Sequence, residues 1–228
     1  MNLSLPFPGG LDALPNGTLL FSLVAAGVYA LICHWSPRAS RTAVKTLAVG
    51  LLALLAFLME APVVLVGLLA LCALGDFYLA QDGDGAFLGG LGSFLAGHVG
   101  YVVLFAIEPV VPTQHLVFLT QLGLSVAQVA FAGAMTSKLF PAVDKALRWP
   151  VVCYIVAILA MGLAAVWLQS PIVVAGALLF MLSDSLLATG RFLLRADDAA
   201  QRWLAPAVWV TYYAAQLILA LAFILRIG

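Results

Sequence analysis

Long apolar stretches, broken at short intervals by proline, glycine and charge, set the plan of this chain. A membrane-spanning helix needs about 20 mainly apolar residues. Eight segments meet that standard: 18–35, 43–59, 62–81, 86–107, 115–135, 149–168, 171–190 and 204–225. Ser36-Pro37, Ala61-Pro62, Pro109 with Pro112, Pro141, Trp149-Pro150, Ser170-Pro171 and Pro206 cluster at segment ends. A proline's missing N–H costs least there, because first-turn donors are unpaired in any case. The connections are short, so consecutive helices should be antiparallel neighbours. The expected fold is all-α: a polytopic membrane protein, residues 1–228 forming one domain with eight transmembrane helices in a single bundle.

Composition agrees. Charged residues make up 9% of the chain and apolar residues 64%, against about 25% charged in a soluble domain. The lipid bilayer is therefore the expected partner. The formal net charge is zero, which gives no reason to expect nucleic acid. Oligomeric state is not legible. Cys33, Cys72 and Cys153 are odd in number and far apart, without a C-x-x-C pair, so they read as small buried apolar residues. The N-terminal stretch lacks the basic and apolar regions of a cleavable leader, so the first helix is expected to direct insertion.

Basic residues set an orientation. Arg38, Arg41, Lys45, Lys138, Lys145, Arg148, Arg191, Arg195 and Arg202 fall on or beside the odd-numbered loops, and only Arg226 lies on the other side. The positive-inside rule then puts the odd loops in the cytoplasm and both termini outside. The membrane expected is a bacterial inner (plasma) membrane.

Two residues violate the apolar pattern most. Asp76 and Asp184 lie inside transmembrane segments, each in the pattern Leu-x-Asp-x-x-Leu-Ala. A charge near the bilayer centre costs about 2.5–3.5 kcal/mol on insertion scales, so such residues face a cavity and mark function. The topology gives helices 3 and 7 the same direction and puts both carboxyls at similar depth in the cytoplasmic half. The shared pattern also hints at a weak four-plus-four parallel repeat. Other polar residues reach the same region. Lys45 reads either as a snorkelling lysine or as a cation that holds a phosphate or keeps one aspartate ionised. Tyr154 resembles an interface anchor, whereas Tyr212 is deep for one, and Gln216 shares its helix face. Helix 4 offers His98 and Tyr101 among five glycines. Ser183 precedes Asp184, and Arg191 follows it by two turns, within reach of a surface phosphate. Gln114, Gln121 and Gln128 form a polar seam on helix 5. Asp82-Gly83-Asp84-Gly85 reads as a tight turn, lacking the later ligands of a calcium loop. The histidine and acid spacings carry no metal motif.

The runs LGDFYL, FLGGLGSFLAGHVGYVVLF, GALLFMLSDSLLATGRF and YYAAQLIL, in this order, resemble the YhhN-like family of lysoplasmalogenases. Lys45-Thr46-Leu47, Tyr154 and Met161 match further family positions; Thr46 stands where the family commonly has proline. The resemblance implies an eight-helix integral membrane ether hydrolase. Its substrate would be a lysophospholipid, the lysoplasmalogen, cleaved at the vinyl ether to a fatty aldehyde and glycerophosphoethanolamine or glycerophosphocholine.

That chemistry suits the residues and needs no cofactor or metal. Protonation of the vinyl ether's β-carbon gives an oxocarbenium ion, which water then captures. One protonated and one ionised carboxyl suffice, as in glycosidases. Asp76, near Lys45, is the expected carboxylate and Asp184 the expected acid, with the reverse assignment open. Lys45, His98, Tyr101, Tyr154, Ser183, Arg191, Tyr212 and Gln216 are candidates to hold substrate or water. Without the resemblance, a proton-coupled transporter of a small or lipid-like substrate explains the paired acids almost as well. An intramembrane aspartyl protease fits less, because it would want Tyr-Asp and Gly-x-Gly-Asp, where this chain has Gly75-Asp76 and Ser183-Asp184.

Overall fold

The computed structural model describes residues 6–10, 13–36, 38–107, 118–195 and 197–227. Its helices are α1 (Leu14–Ile32), α2 (Ala39–Leu58), α3 (Val63–Leu79), α4 (Asp84–Ile107), α5 (Phe118–Ala142), α6 (Arg148–Trp167), α7 (Pro171–Ala188) and α8 (Gln201–Ile224). A π-helical turn, Thr189–Leu193, continues α7. Each expected segment is a helix, and the described residues form no strand. Seven helices are long and apolar enough to cross a membrane, and α3, at 17 residues, is the short one. The protein is a polytopic helical bundle.

Two helices run past the segment ends expected for them, 204 for the last helix and 135 for the fifth. Pro206 lies inside α8, which begins at Gln201, and Pro141 lies inside α5, which ends at Ala142. Near a helix end a proline forfeits at most one hydrogen bond, so the helix runs through it. At Ser170-Pro171 the expectation holds: the Ser170 hydroxyl accepts from the Val173 N–H at 3.3 Å, and Pro171 opens α7. Gln114, His115 and the Pro109–Pro112 pair lie outside the described residues, as does the start of the expected helix 5.

Helices α1 to α4 pack in chain order, but α4 then packs on α6, leaving α5 outside against α6 and the π turn. Helix α6 packs on α7 and α7 on α8, and α8 returns to α1, α2 and α3, closing the bundle. Over half of the apolar stretch of α8 (56%) is buried, against 17% in α5. Thus α8 is the core helix, and α5 presents most of its surface to lipid. Cys33 and Cys72 are buried as expected, whereas Cys153 is exposed on the outer face of α6. No described cysteine is in a disulfide.

The glycines of α4 set its distance from α3. A Cβ at Gly97 would meet Cys72 Sγ at 2.8 Å, and one at Gly100 would meet Leu68 Cβ at 2.8 Å. Because Leu68 Cβ is fixed to its backbone, Gly100→Ala must push the helices apart. The expected cost is about 1–3 kcal/mol, the usual penalty for overpacking, read as a lower Tm of the detergent-solubilised protein. Gly67→Ala, on the exposed face of α3 with open space around it, should leave Tm unchanged or slightly raised.

Candidate active site

Each aspartate receives one side chain from the helix before its own and one from the last helix of the opposite half. Asp76, in the last turn of α3, has the Lys45 ammonium of α2 at 3.3 Å from Oδ1. The Tyr212 hydroxyl of α8 donates to its Oδ2 at 2.8 Å. Asp184, on α7, accepts from the Tyr154 hydroxyl of α6 at 2.7 Å. His98 of α4 brings Nε2 to 3.4 Å from the same oxygen. Lys45 and Tyr154, Asp76 and Asp184, and His98 and Tyr212 thus hold matching places in the two four-helix halves. The repeat hinted at by two short motifs extends to the groups serving them.

The two environments differ in what they offer a proton. Asp76 is 1% exposed and surrounded by donors, a setting for an ionised carboxylate. Around Asp184 the histidine is the deciding neighbour. His98 Nδ1 lies 2.6 Å from the Phe94 carbonyl oxygen, which can only accept, so Nδ1 carries hydrogen. In the neutral ring Nε2 is then a bare acceptor. It is buried, makes no aligned hydrogen bond and faces a carboxyl oxygen. A proton held by the pair, on Asp184 or on Nε2, would relieve the contact between these two acceptors.

Both aspartates line one cavity of about 390 Å³ at the end of the bundle bearing the α1–α2, α3–α4 and α7–α8 connections. Lys45, Tyr212, Ser183 and Arg191 line it too. A second, almost wholly apolar cleft of about 80 Å³ runs between α4, α5, α6 and α7, lined by Phe131, Met135, Ile155, Ile158 and others. Asp184, Phe94, Phe87, Leu79, Leu187 and Arg191 belong to both, so Asp184 stands where the polar cavity opens into the apolar cleft. Phe94 meets Phe180 and Tyr212 edge-on, and His98 packs on Phe180 with centroids 4.6 Å apart. The two carboxyl sites therefore share an aromatic wall.

A family model described as the YhhN family matches residues 40–223, most of the chain. The chain belongs to the YhhN family. Two curated relatives, from Mycobacterium bovis (strain ATCC BAA-935 / AF2122/97) and Mycobacterium tuberculosis (strain CDC 1551 / Oshkosh), are each named lysoplasmalogenase. Each is 32% identical over 165 residues, which cover 70% of this chain and 59% of the relative. The match thus spans well under two thirds of their length. No solved structure matches the chain significantly.

Not every candidate faces the cavities of this YhhN protein. Tyr101 is fully buried and donates to Gln216 Oε1 at 2.6 Å, so the two tie α4 to α8 behind the carboxyls. The Ser183 hydroxyl is engaged with the Val208 carbonyl at 2.9 Å, joining α7 to α8. Arg191 stands at the rim, paired with Asp84 at 3.2 Å over the Phe87 ring; the π turn, which contains Gly190, carries it there. Three cavity residues were not anticipated. Tyr29 of α1 lies under the cations of α2 and packs edge-on against Trp209, with centroids 4.4 Å apart. Arg41 precedes Lys45 by one helical turn, a spacing that could have flagged it. Tyr29 and Trp209 carried no such signal, because aromatics near helix ends read as interface anchors.

Proposed function

We propose that this protein hydrolyses the vinyl ether bond of a lysoplasmalogen, releasing a fatty aldehyde and a glycerophosphoethanolamine or glycerophosphocholine. The carrying observation is a pair of carboxyls on one cavity, one ringed by donors and the other 3.4 Å from a buried histidine nitrogen. The names borne by the mycobacterial relatives support the same substrate class. In this reading the head group occupies the polar cavity and the alkenyl chain the apolar cleft, which brings the ether to Asp184. The positive-inside distribution supports a cavity open to the cytoplasm.

The proton inventory closes. Asp184 gives its proton to the β-carbon of the alkenyl ether, forming an oxocarbenium ion. The Asp76 carboxylate and the aromatic wall stabilise that cation. Water adds to the cationic carbon and yields a proton to Asp76. The resulting hemiacetal returns its hydroxyl proton to Asp184, while Asp76 protonates the departing glycerol oxygen. Aldehyde and alcohol leave, and both carboxyls are back in their starting states. Lys45 and Tyr212 hold Asp76 as the carboxylate, and His98 and Tyr154 hold the acid in place.

Purified protein in detergent should release aldehyde from a 1-alkenyl lysophospholipid and none from its saturated 1-alkyl counterpart, which cannot be protonated at carbon. In D2O the aldehyde, trapped as it forms, should carry one deuterium at its α-carbon. Cleavage of the alkyl ether at a comparable rate, or aldehyde free of deuterium, would exclude this mechanism. Absence of aldehyde combined with lipid movement across proteoliposomes would replace the hydrolase by a transporter.

A further inference from the structure

Arg41 is a cavity cation without an anion among the described residues. Of the three basic residues lining the polar cavity, Lys45 pairs with Asp76 and Arg191 with Asp84, while Arg41 makes no ion pair among the described residues. Its guanidinium lies 6.0 Å over the Tyr29 ring, and its Nε is buried with no hydrogen-bond partner. Arginine cannot shed its charge, and a buried N–H without an acceptor is costly. An anionic acceptor entering from the cavity would satisfy both the bare Nε and the unpaired charge.

We propose that Arg41 binds the phosphodiester of the lysophospholipid head group, an assignment that rests on the hydrolase reading above. Arg41 and Lys45 share one face of α2, with Arg41 about 6 Å nearer the end of the bundle. In a 1-alkenyl glycerophospholipid the phosphorus lies five bonds from the ether oxygen, a span of about the same length. An ether held at the aspartates therefore brings its phosphate level with the guanidinium. A diester carries a single negative charge, which matches the one cavity cation without an ion pair among the described residues, and the planar fork suits two phosphate oxygens. Tyr29, fixed by Trp209, supports the fork from below. Arg38 does not share this role: it is exposed and lines a separate surface depression between α2 and α3.

The test uses phospholipid-free detergent, which removes bilayer phosphate as a competing source. Turnover of 1-alkenyl-glycerophosphoethanolamine and of the phosphate-free 1-alkenylglycerol is compared for wild type, Arg41→Gln and Arg38→Gln. Arg41→Gln should lower kcat/KM for the phospholipid about 10- to 100-fold, as expected for a charged hydrogen bond, mainly through KM. It should leave 1-alkenylglycerol turnover unchanged, which also reports that the variant is folded, and Arg38→Gln should alter neither substrate. Equal loss on both substrates, or none on either, overturns the assignment. A binding arm is independent of turnover. Wild type should bind the non-cleavable 1-alkyl lysophospholipid more tightly than 1-alkylglycerol, and Arg41→Gln should erase that preference. A preference that survives the substitution overturns the proposal, and so does free glycerophosphoethanolamine binding as tightly as the whole lipid. Wild type that binds with the expected preference yet releases no aldehyde counts against the hydrolase alone.

Discussion

Asp184→Asn is expected to lower aldehyde release by about 10²- to 10⁴-fold, the range that a positioned general acid contributes, while leaving the bundle intact. The amide nearly matches the carboxyl in shape. Its nitrogen, placed where Oδ2 stands, has two hydrogens for the two groups that meet there, the Tyr154 hydroxyl oxygen and His98 Nε2, the buried acceptor that lacks an aligned partner. Tm should therefore stay close to wild type. What the amide lacks is a transferable proton, so the loss should appear in kcat with little change in KM. Activity within ten-fold of wild type would remove Asp184 from the acid role. Unfolding of the variant would instead show that the carboxyl's place is structural.

The candidate site was partly legible in the sequence. An acidic residue in an apolar run is conspicuous, because the energy of burying it demands a reason, and both aspartates are now seen on one cavity. Lys45 was visible by its depth on the adjoining helix. The order of helices in the bundle was not visible. Nothing in the apolar runs says that α4 passes over α5 to pack on α6, or that α8 occupies the centre, because lipid-facing and buried leucines look alike. That packing order is what brings Tyr212 to Asp76 and His98 to Asp184, across the halves. Polar residues of helix interiors stand out as a group in the sequence, yet their division into cavity-facing and structural members depends on contacts. Tyr101 donates to Gln216, and Ser183, although on the cavity wall, donates to a carbonyl of α8. The helix ends suffered from the opposite problem. Proline marks the neighbourhood of an end but not the end itself, since α5 and α8 hold one within a turn or two of theirs.

Lys45→Met should be the most damaging single change to the bundle. It removes the ammonium 3.3 Å from an aspartate that is 1% exposed, leaving Tyr212 as the one remaining donor to that carboxyl among the described residues. Stripping one partner from a buried ion pair costs about 3–5 kcal/mol, because the charge left behind has neither solvent nor counterion. The damage should be repaired by a second substitution. In Lys45→Met/Asp76→Asn no charge is stranded; the Asn oxygen still accepts from Tyr212, and the Met stem fills the space against Tyr29. Thermal unfolding in detergent should therefore place the double variant well above the Lys45→Met single and near wild type. Activity should separate from stability at this point. The double variant lacks the carboxylate that steadies the cation and takes the proton from water, so it should remain inactive although folded. A double variant as unstable as the single would mean that Lys45 acts through packing rather than charge. A double variant that recovers aldehyde release would show that the Asp76 carboxylate is dispensable, leaving Asp184 and His98 to carry the reaction by themselves.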